Sequence, residues 1–222
     1  MSAFRVILAK DLRVELRTLQ AVPAMALFAL TTFVIFRFGL DRDRLEGSLA
    51  AGVLLVTVLF AAILAVNRLF VAEREEGGFD AIRLAPVDPA SLFAAKAVAL
   101  VAYLAVFQAV ALPAFAFFFL DDWAGVVPVA GVLVLVNVGL AAVGVLVSAI
   151  GVNSRARELI VPLLLLPLIV PVMIAAAGAA ESLLAASGPE YGGVGKWIAM
   201  LALYDAVFLA IGYAVYDFLV ED

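Results

Sequence analysis

The sequence predicts an all-α, polytopic membrane protein with six transmembrane helices, preceded by an amphipathic helix on the membrane surface. Three observations carry that expectation. Of the residues, 67% are apolar and only 15% charged, with a mean hydropathy of +1.19; a soluble domain keeps about a quarter of its residues charged. Six stretches approach or exceed the roughly 20 apolar residues that cross hydrocarbon. The basic residues are divided unevenly between the two ends of those stretches.

A chain of 222 residues suits one domain. It divides into an interfacial helix over 1–20 and a six-helix membrane domain over 21–220, which leaves no room for a separate nucleotide-binding module. The net charge of -5 and sequence pI of about 4.8 argue against a nucleic-acid partner. Without cysteine there are no disulfides or thiolate ligands, and without histidine the commonest metal ligand and general base are missing. No metal site and no bound cofactor are therefore expected.

The first element is the amphipathic segment. Phe4, Leu8, Leu12, Leu16 and Leu19 recur at helical spacing, with Lys10, Arg13 and Arg17 on another face. It reads either as an interfacial anchor that sets topology or as a connecting helix that also touches a cytoplasmic partner. No small-x-small cleavage pattern follows it, so the first apolar run is expected to stay as a span.

The six spans are then expected near Ala21–Phe38, Leu49–Val66, Ala97–Leu120, Val126–Ile150, Leu159–Ala180 and Trp197–Tyr216. Arg37 near the end of the first can snorkel to the interface. Pro162, Pro167 and Pro171 predict a kinked, protein-facing fifth span, because neighbours must re-satisfy the freed carbonyls. With the N-terminus inside, Arg5, Lys10, Arg13, Arg17, Arg68, Arg74, Arg83, Lys96, Arg155 and Arg157 are cytoplasmic, and Arg37, Arg42, Arg44 and Lys196 lie outside. That excess on one side sets the orientation and puts both termini in the cytoplasm.

Asp41–Ser48 and Asp121–Gly125 form short outer loops, and Glu181–Lys196 a longer, glycine-rich one. Asn67–Ser91 is the longest inner connection. There the charged run Glu73-Arg74-Glu75-Glu76 is broken by Gly77-Gly78, and a short amphipathic segment, Phe79–Ala85, is stopped by Pro86. Asp88-Pro89 supplies an N-cap and a first-turn proline for the next helix. The Phe79–Ala85 segment reads as a solvated hairpin or as a short helix lying across two spans, placed to receive a push from a soluble protein.

Polar groups inside spans are functional candidates because hydrocarbon penalises them. They are Gln108, Asn137 and Asp205, with Tyr103 and Tyr204 as softer cases. The two amides can simply bond neighbouring helices. Asp205, about 12 Å into the sixth span at helical rise, must pair, protonate or face water. Phe115, Phe117, Phe118 and Phe119 read as an interfacial aromatic belt. No phosphate-binding loop of the Gly-x-x-x-x-Gly-Lys type is present, so the chain is not expected to hydrolyse nucleotide or to be an enzyme.

In order, these parts resemble the ABC-2 type exporter permeases, and within them the CcmB family, the permease of the cytochrome c maturation (haem exporter) system. The resemblance is carried by Lys10-Asp11-Leu12-Arg13-Val14-Glu15-Leu16-Arg17, by Asn67 through Gly78, by Leu84-Ala85-Pro86-Val87-Asp88-Pro89, by Phe93-Ala94-Ala95-Lys96 and by the proline-rich fifth span.

It implies a homodimeric or partnered permease in a bacterial or archaeal cytoplasmic membrane. A separate CcmA-like ATPase would bind ATP and magnesium, beside CcmC-like and CcmD-like membrane proteins. It also implies an ATPase-coupling role for Glu73, Arg74, Glu75, Gly77, Leu84 and Pro86, and a connecting-helix role for Lys10, Arg13, Glu15 and Arg17. Haem is the implied cargo. With histidine absent and only methionine and tyrosine left as axial ligands, the expectation is that a partner holds the iron. Two other functions fit the same residues: an ABC-2 permease for a lipid, glycan or drug, and a non-translocating subunit that scaffolds an assembly complex.

Overall fold

The computed structural model describes residues 3–40, 42–69, 88–151 and 157–221, with the side chains of 151, 157, 158 and 216–221 excepted. Among these residues the chain is all helical: α1 Ala3–Thr18, α2 Ala21–Gly39, α3 Gly47–Arg68, α4 Pro89–Phe119, α5 Val126–Gly151, α6 Arg157–Leu183 and α7 Val194–Glu221. The six from α2 to α7 are long and apolar enough to cross a membrane, and the protein is a multi-pass membrane protein.

Helix starts follow local chemistry. Asp88 accepts from the backbone N–H of Ser91 at 3.2 Å with Pro89 in the first turn, so α4 begins well before the expected Ala97 and runs through Pro113. A carboxylate caps α2 from outside: Glu15 of α1 accepts from the N–H groups of both Ala21 and Val22 at 2.9 Å. These donors have no partner within their own helix, and negative charge is favoured at a helix start.

α3 and α5 are buried over most of their length and form the centre. α2 packs on α3 and α4 at one edge, α6 lies against α3, α5 and α7, and α7 closes the other edge against α4, α5 and α6. α1 packs on α4. The end of the bundle nearest α1 is called proximal below, and the opposite end distal. At the distal end, connections bond helix termini across the bundle. Leu45 N–H donates to the carbonyl of Phe119 at 2.9 Å and Gly47 N–H to that of Leu184 at 2.7 Å.

Several expectations are corrected. In α1 the buried residue is the charged Asp11, while Leu16 and Leu19 are exposed at 75% and 59%, because the helix packs on α4 through the face that carries Asp11. Phe115 and Phe119 are buried with Phe33, at ring separations of 5.5 to 5.9 Å; they join α2 to α4, and only Phe117 projects outward. α6 is not protein-facing all round. Val161, Leu165, Ile169 and Val172 line its buried face, while Leu163, Leu166, Val170 and the ring of Pro167 point outward. The long distal connection is also shorter than expected, since α6 reaches Leu183 and α7 starts at Val194.

Absent side chains let helices approach closely. A Cβ on Gly212 of α7 would stand 2.1 Å from Cζ of Phe93, and one on Gly144 of α5 would stand 2.7 Å from Val66. Phe93 is itself buried and has little room to yield. Gly212→Ala is therefore expected to cost about 1–3 kcal/mol. Unfolding of the purified protein in detergent should show that loss, while Gly131→Ala, where a Cβ meets nothing within 4 Å, should be near neutral.

Candidate functional site: a proximal charge clamp and a midplane polar layer

A buried polar cluster lies at the proximal end. Each side chain three or four positions from Lys96 on α4 is apolar and buried: Leu92, Phe93, Ala99 and Leu100. The ammonium is thereby carried onto the buried face, where its side chain is 1% exposed. It lies 3.0 Å from Oδ2 and 3.2 Å from Oδ1 of Asp11, itself 7% exposed, and donates to the carbonyl of Leu69 at the end of α3, at 3.2 Å. The hydroxyl of Tyr103 donates to the Asp11 carbonyl at 3.1 Å, and Lys10 flanks the same carboxylate at 3.2 Å from the solvent side. Removing one member of such a buried pair typically costs about 3–5 kcal/mol, because the other charge is left uncompensated.

The residues expected on the connecting helix divide. Arg13 and Arg17 are exposed, Lys10 borders the clamp, and Glu15 is the cap of α2. The expected coupling residues Glu73, Arg74, Glu75, Gly77, Leu84 and Pro86 lie outside the described residues. The corner after α1 is tied to the end of α3 by Arg68, which donates to the side chain of Gln20 at 3.0 Å.

The three intramembrane candidates form a layer. Gln108, Asn137 and Asp205 each lie eleven residues from the distal end of their helix, at Phe119, Val126 and Val194 respectively, about 16 Å at helical rise. Gln108 and Asn137 bond each other twice, amide to carbonyl, at 2.8 Å in both directions. Asp205 is 5% exposed and sits against α5 where Gly139 leaves room; a Cβ there would stand 2.7 Å from Oδ1. Neither of its oxygens has a hydrogen-bond partner among the described residues. Two residues apart on a helix are about 200° apart around it, so Asn137 and Gly139 serve different sides of α5. The neighbouring Tyr204 donates to the carbonyl of Leu168 and stacks on Phe208.

A cleft of about 250 Å³ opens among the distal connections, lined by Arg44, Glu46, Asp121, Asp122 and backbone around Gly125 and Gly188. Arg44 and Asp121 pair across it at 2.5 Å.

Comparison with known proteins places this arrangement. Residues 2–216 match the family model described as CcmB protein. The chain belongs to the CcmB family. It is 28% identical to heme exporter protein B of Bradyrhizobium diazoefficiens over 213 residues, 96% of this chain and 94% of that one. It is also 28% identical to heme exporter protein B of Rhodobacter capsulatus over 180 residues, covering 77% and 78% of the two chains. The CcmB match runs from before α1 into α7, so the clamp and the midplane layer both fall inside it.

Two members of the site were missed in the sequence. Lys96 is read there only as a cytoplasmic charge and Asp11 only as part of the resemblance, although the apolar residues around Lys96 at helical spacing already place it inward. In this CcmB-family chain the amide pair yields a direct prediction. A double-mutant cycle with Gln108→Leu and Asn137→Leu, read by unfolding in detergent, should give a coupling of about 0.6–1.7 kcal/mol, the range of bonds between membrane helices.

Proposed function

We propose that this chain is the membrane permease subunit of a haem-exporting ABC system that serves c-type cytochrome assembly. The observation that carries the reading is family membership along nearly the whole chain, with relatives named heme exporter protein B matched over up to 94% of their length. In this reading ATP hydrolysis, with its magnesium, belongs to a separate CcmA-like ATPase, and the lack of a phosphate-binding loop in this chain supports it. CcmC-like and CcmD-like membrane proteins and a second copy of this chain are the other partners in this reading.

The proximal end is the cytoplasmic one. Arg5, Lys10, Arg13, Arg17, Arg68 and Lys96 gather there, against Arg37, Arg42, Arg44 and Lys196 at the distal end, and basic residues stay on the cytoplasmic side. Both termini are then cytoplasmic. The 70–87 connection faces the ATPase, with Glu73, Arg74, Glu75, Gly77, Leu84 and Pro86 at the contact. Gln108, Asn137 and Asp205 are the polar groups at the depth where cargo would cross.

Haem enters as cargo. With no histidine or cysteine in the chain, a partner that carries the axial ligand fits this reading: ATP hydrolysis then drives transfer or release of a haem-loaded partner, and the iron is not held by this chain.

Deletion of the gene in its host, with c-type cytochromes read by haem peroxidase staining, tests the reading. The expected outcome is loss of holocytochrome c with b-type cytochromes preserved, and recovery on complementation with the intact chain. Unchanged holocytochrome c in a host with no second copy would exclude it and favour export of a lipid, glycan or drug.

A further inference from the structure

The contact between α1 and α4 contains more than seating requires. Ile7, Leu8 and Leu12 already pack against the core, and Tyr103 holds the Asp11 backbone through its carbonyl. A buried ion pair adds little to stability beyond what an apolar pair of the same size would give, but it can fix a single geometry. Apolar faces tolerate sliding; an ammonium 3.0 and 3.2 Å from two carboxylate oxygens does not.

That ammonium also bonds Leu69, so it joins three segments: α1, the end of α3 and the first turns of α4. Leu69 and Asp88 are the described residues on either side of 70–87. From α1 the chain of contacts continues, since Glu15 holds the first N–H groups of α2 and Gln20 is bonded by Arg68 at the end of α3.

We propose that Asp11 and Lys96 are positioning residues for energy coupling: they make α1 move as one body with the helix ends that flank residues 70–87, and so carry a displacement of those ends into α2. The proposal rests on the reading above, in which a separate ATPase acts at that connection. It assigns the pair a task beyond folding, and it gives α1 a place in the coupling route that an interfacial anchor would not have.

The test replaces the pair with apolar residues, Asp11→Leu with Lys96→Met, in the full chain expressed with its ATPase subunit. Three quantities are read: abundance in the membrane, ATP hydrolysis by the purified complex in lipid vesicles, and holocytochrome c in the cell. The double variant is expected at wild-type abundance and still bound to the ATPase. Hydrolysis should no longer respond to the permease, and holocytochrome c should fall about ten-fold, within the 5–150-fold range of a lost coupling. Normal holocytochrome c at normal abundance would overturn the proposal.

If the double variant fails to accumulate, Asp11→Asn with Lys96→Gln decides, because the neutral amide pair leaves no buried charge uncompensated. Normal abundance with lost coupling supports positioning; a chain missing from the membrane makes the pair a folding requirement and overturns it. A wild-type chain that neither alters ATP hydrolysis nor supports cytochrome c would instead remove the transport reading, and this proposal with it.

Discussion

Hydrocarbon supplies no hydrogen bonds, and the buried polar contacts of this protein answer that constraint. Thr57 bonds the carbonyl of Val53 one turn back at 2.8 Å, and Ser148 of α5 bonds the carbonyl of Val66 in α3 at 3.1 Å. Gln108 and Asn137 satisfy each other, Glu15 satisfies the start of α2, and Lys96 satisfies both a carboxylate and a carbonyl. Each such bond also selects one arrangement of two segments, because no water can replace a partner that moves away. Asp205 stands apart: its oxygens have no hydrogen-bond partner among the described residues.

Those contacts give the protein different characters at its two ends. At the distal end, backbone bonds from Leu45 and Gly47 weld three connections into one surface. At the proximal end, charged side chains tie a surface helix to the ends of two spans. Both ends join segments far apart in the chain, the distal one through backbone groups from Leu45 to Phe119 and from Gly47 to Leu184, the proximal one through the side chains of Asp11 and Lys96. In the proposed function the proximal end faces the energy source and the distal end faces the destination of the cargo. The midplane layer separates them.

The architecture was largely legible because hydropathy and helical spacing are one-dimensional signals. Six apolar stretches, the Asp88-Pro89 start and the turn residues between spans needed no tertiary knowledge. Helix ends were less legible, since α4 and α7 continue as helices beyond the strongly apolar part of their sequences. Faces were harder still. Leu16 looks like core by type and is exposed, while Lys96 looks like surface by type and is buried. In both cases the deciding fact is the neighbouring helix. The Gln108–Asn137 bond joins residues 29 positions apart, and nothing in their local sequences announces the partner.

The account depends most on which end of the bundle meets ATP. The natural chain contains no cysteine, so single cysteines report their side without background. Cysteines placed at Arg13 on the proximal end and at Asp122 on the distal end would be treated, in intact spheroplasts, with a membrane-impermeant maleimide. The account predicts labelling at 122 and protection at 13 until the membrane is opened. Labelling at 13 with protection at 122 would put the proximal end outside, away from ATP, and would contradict it.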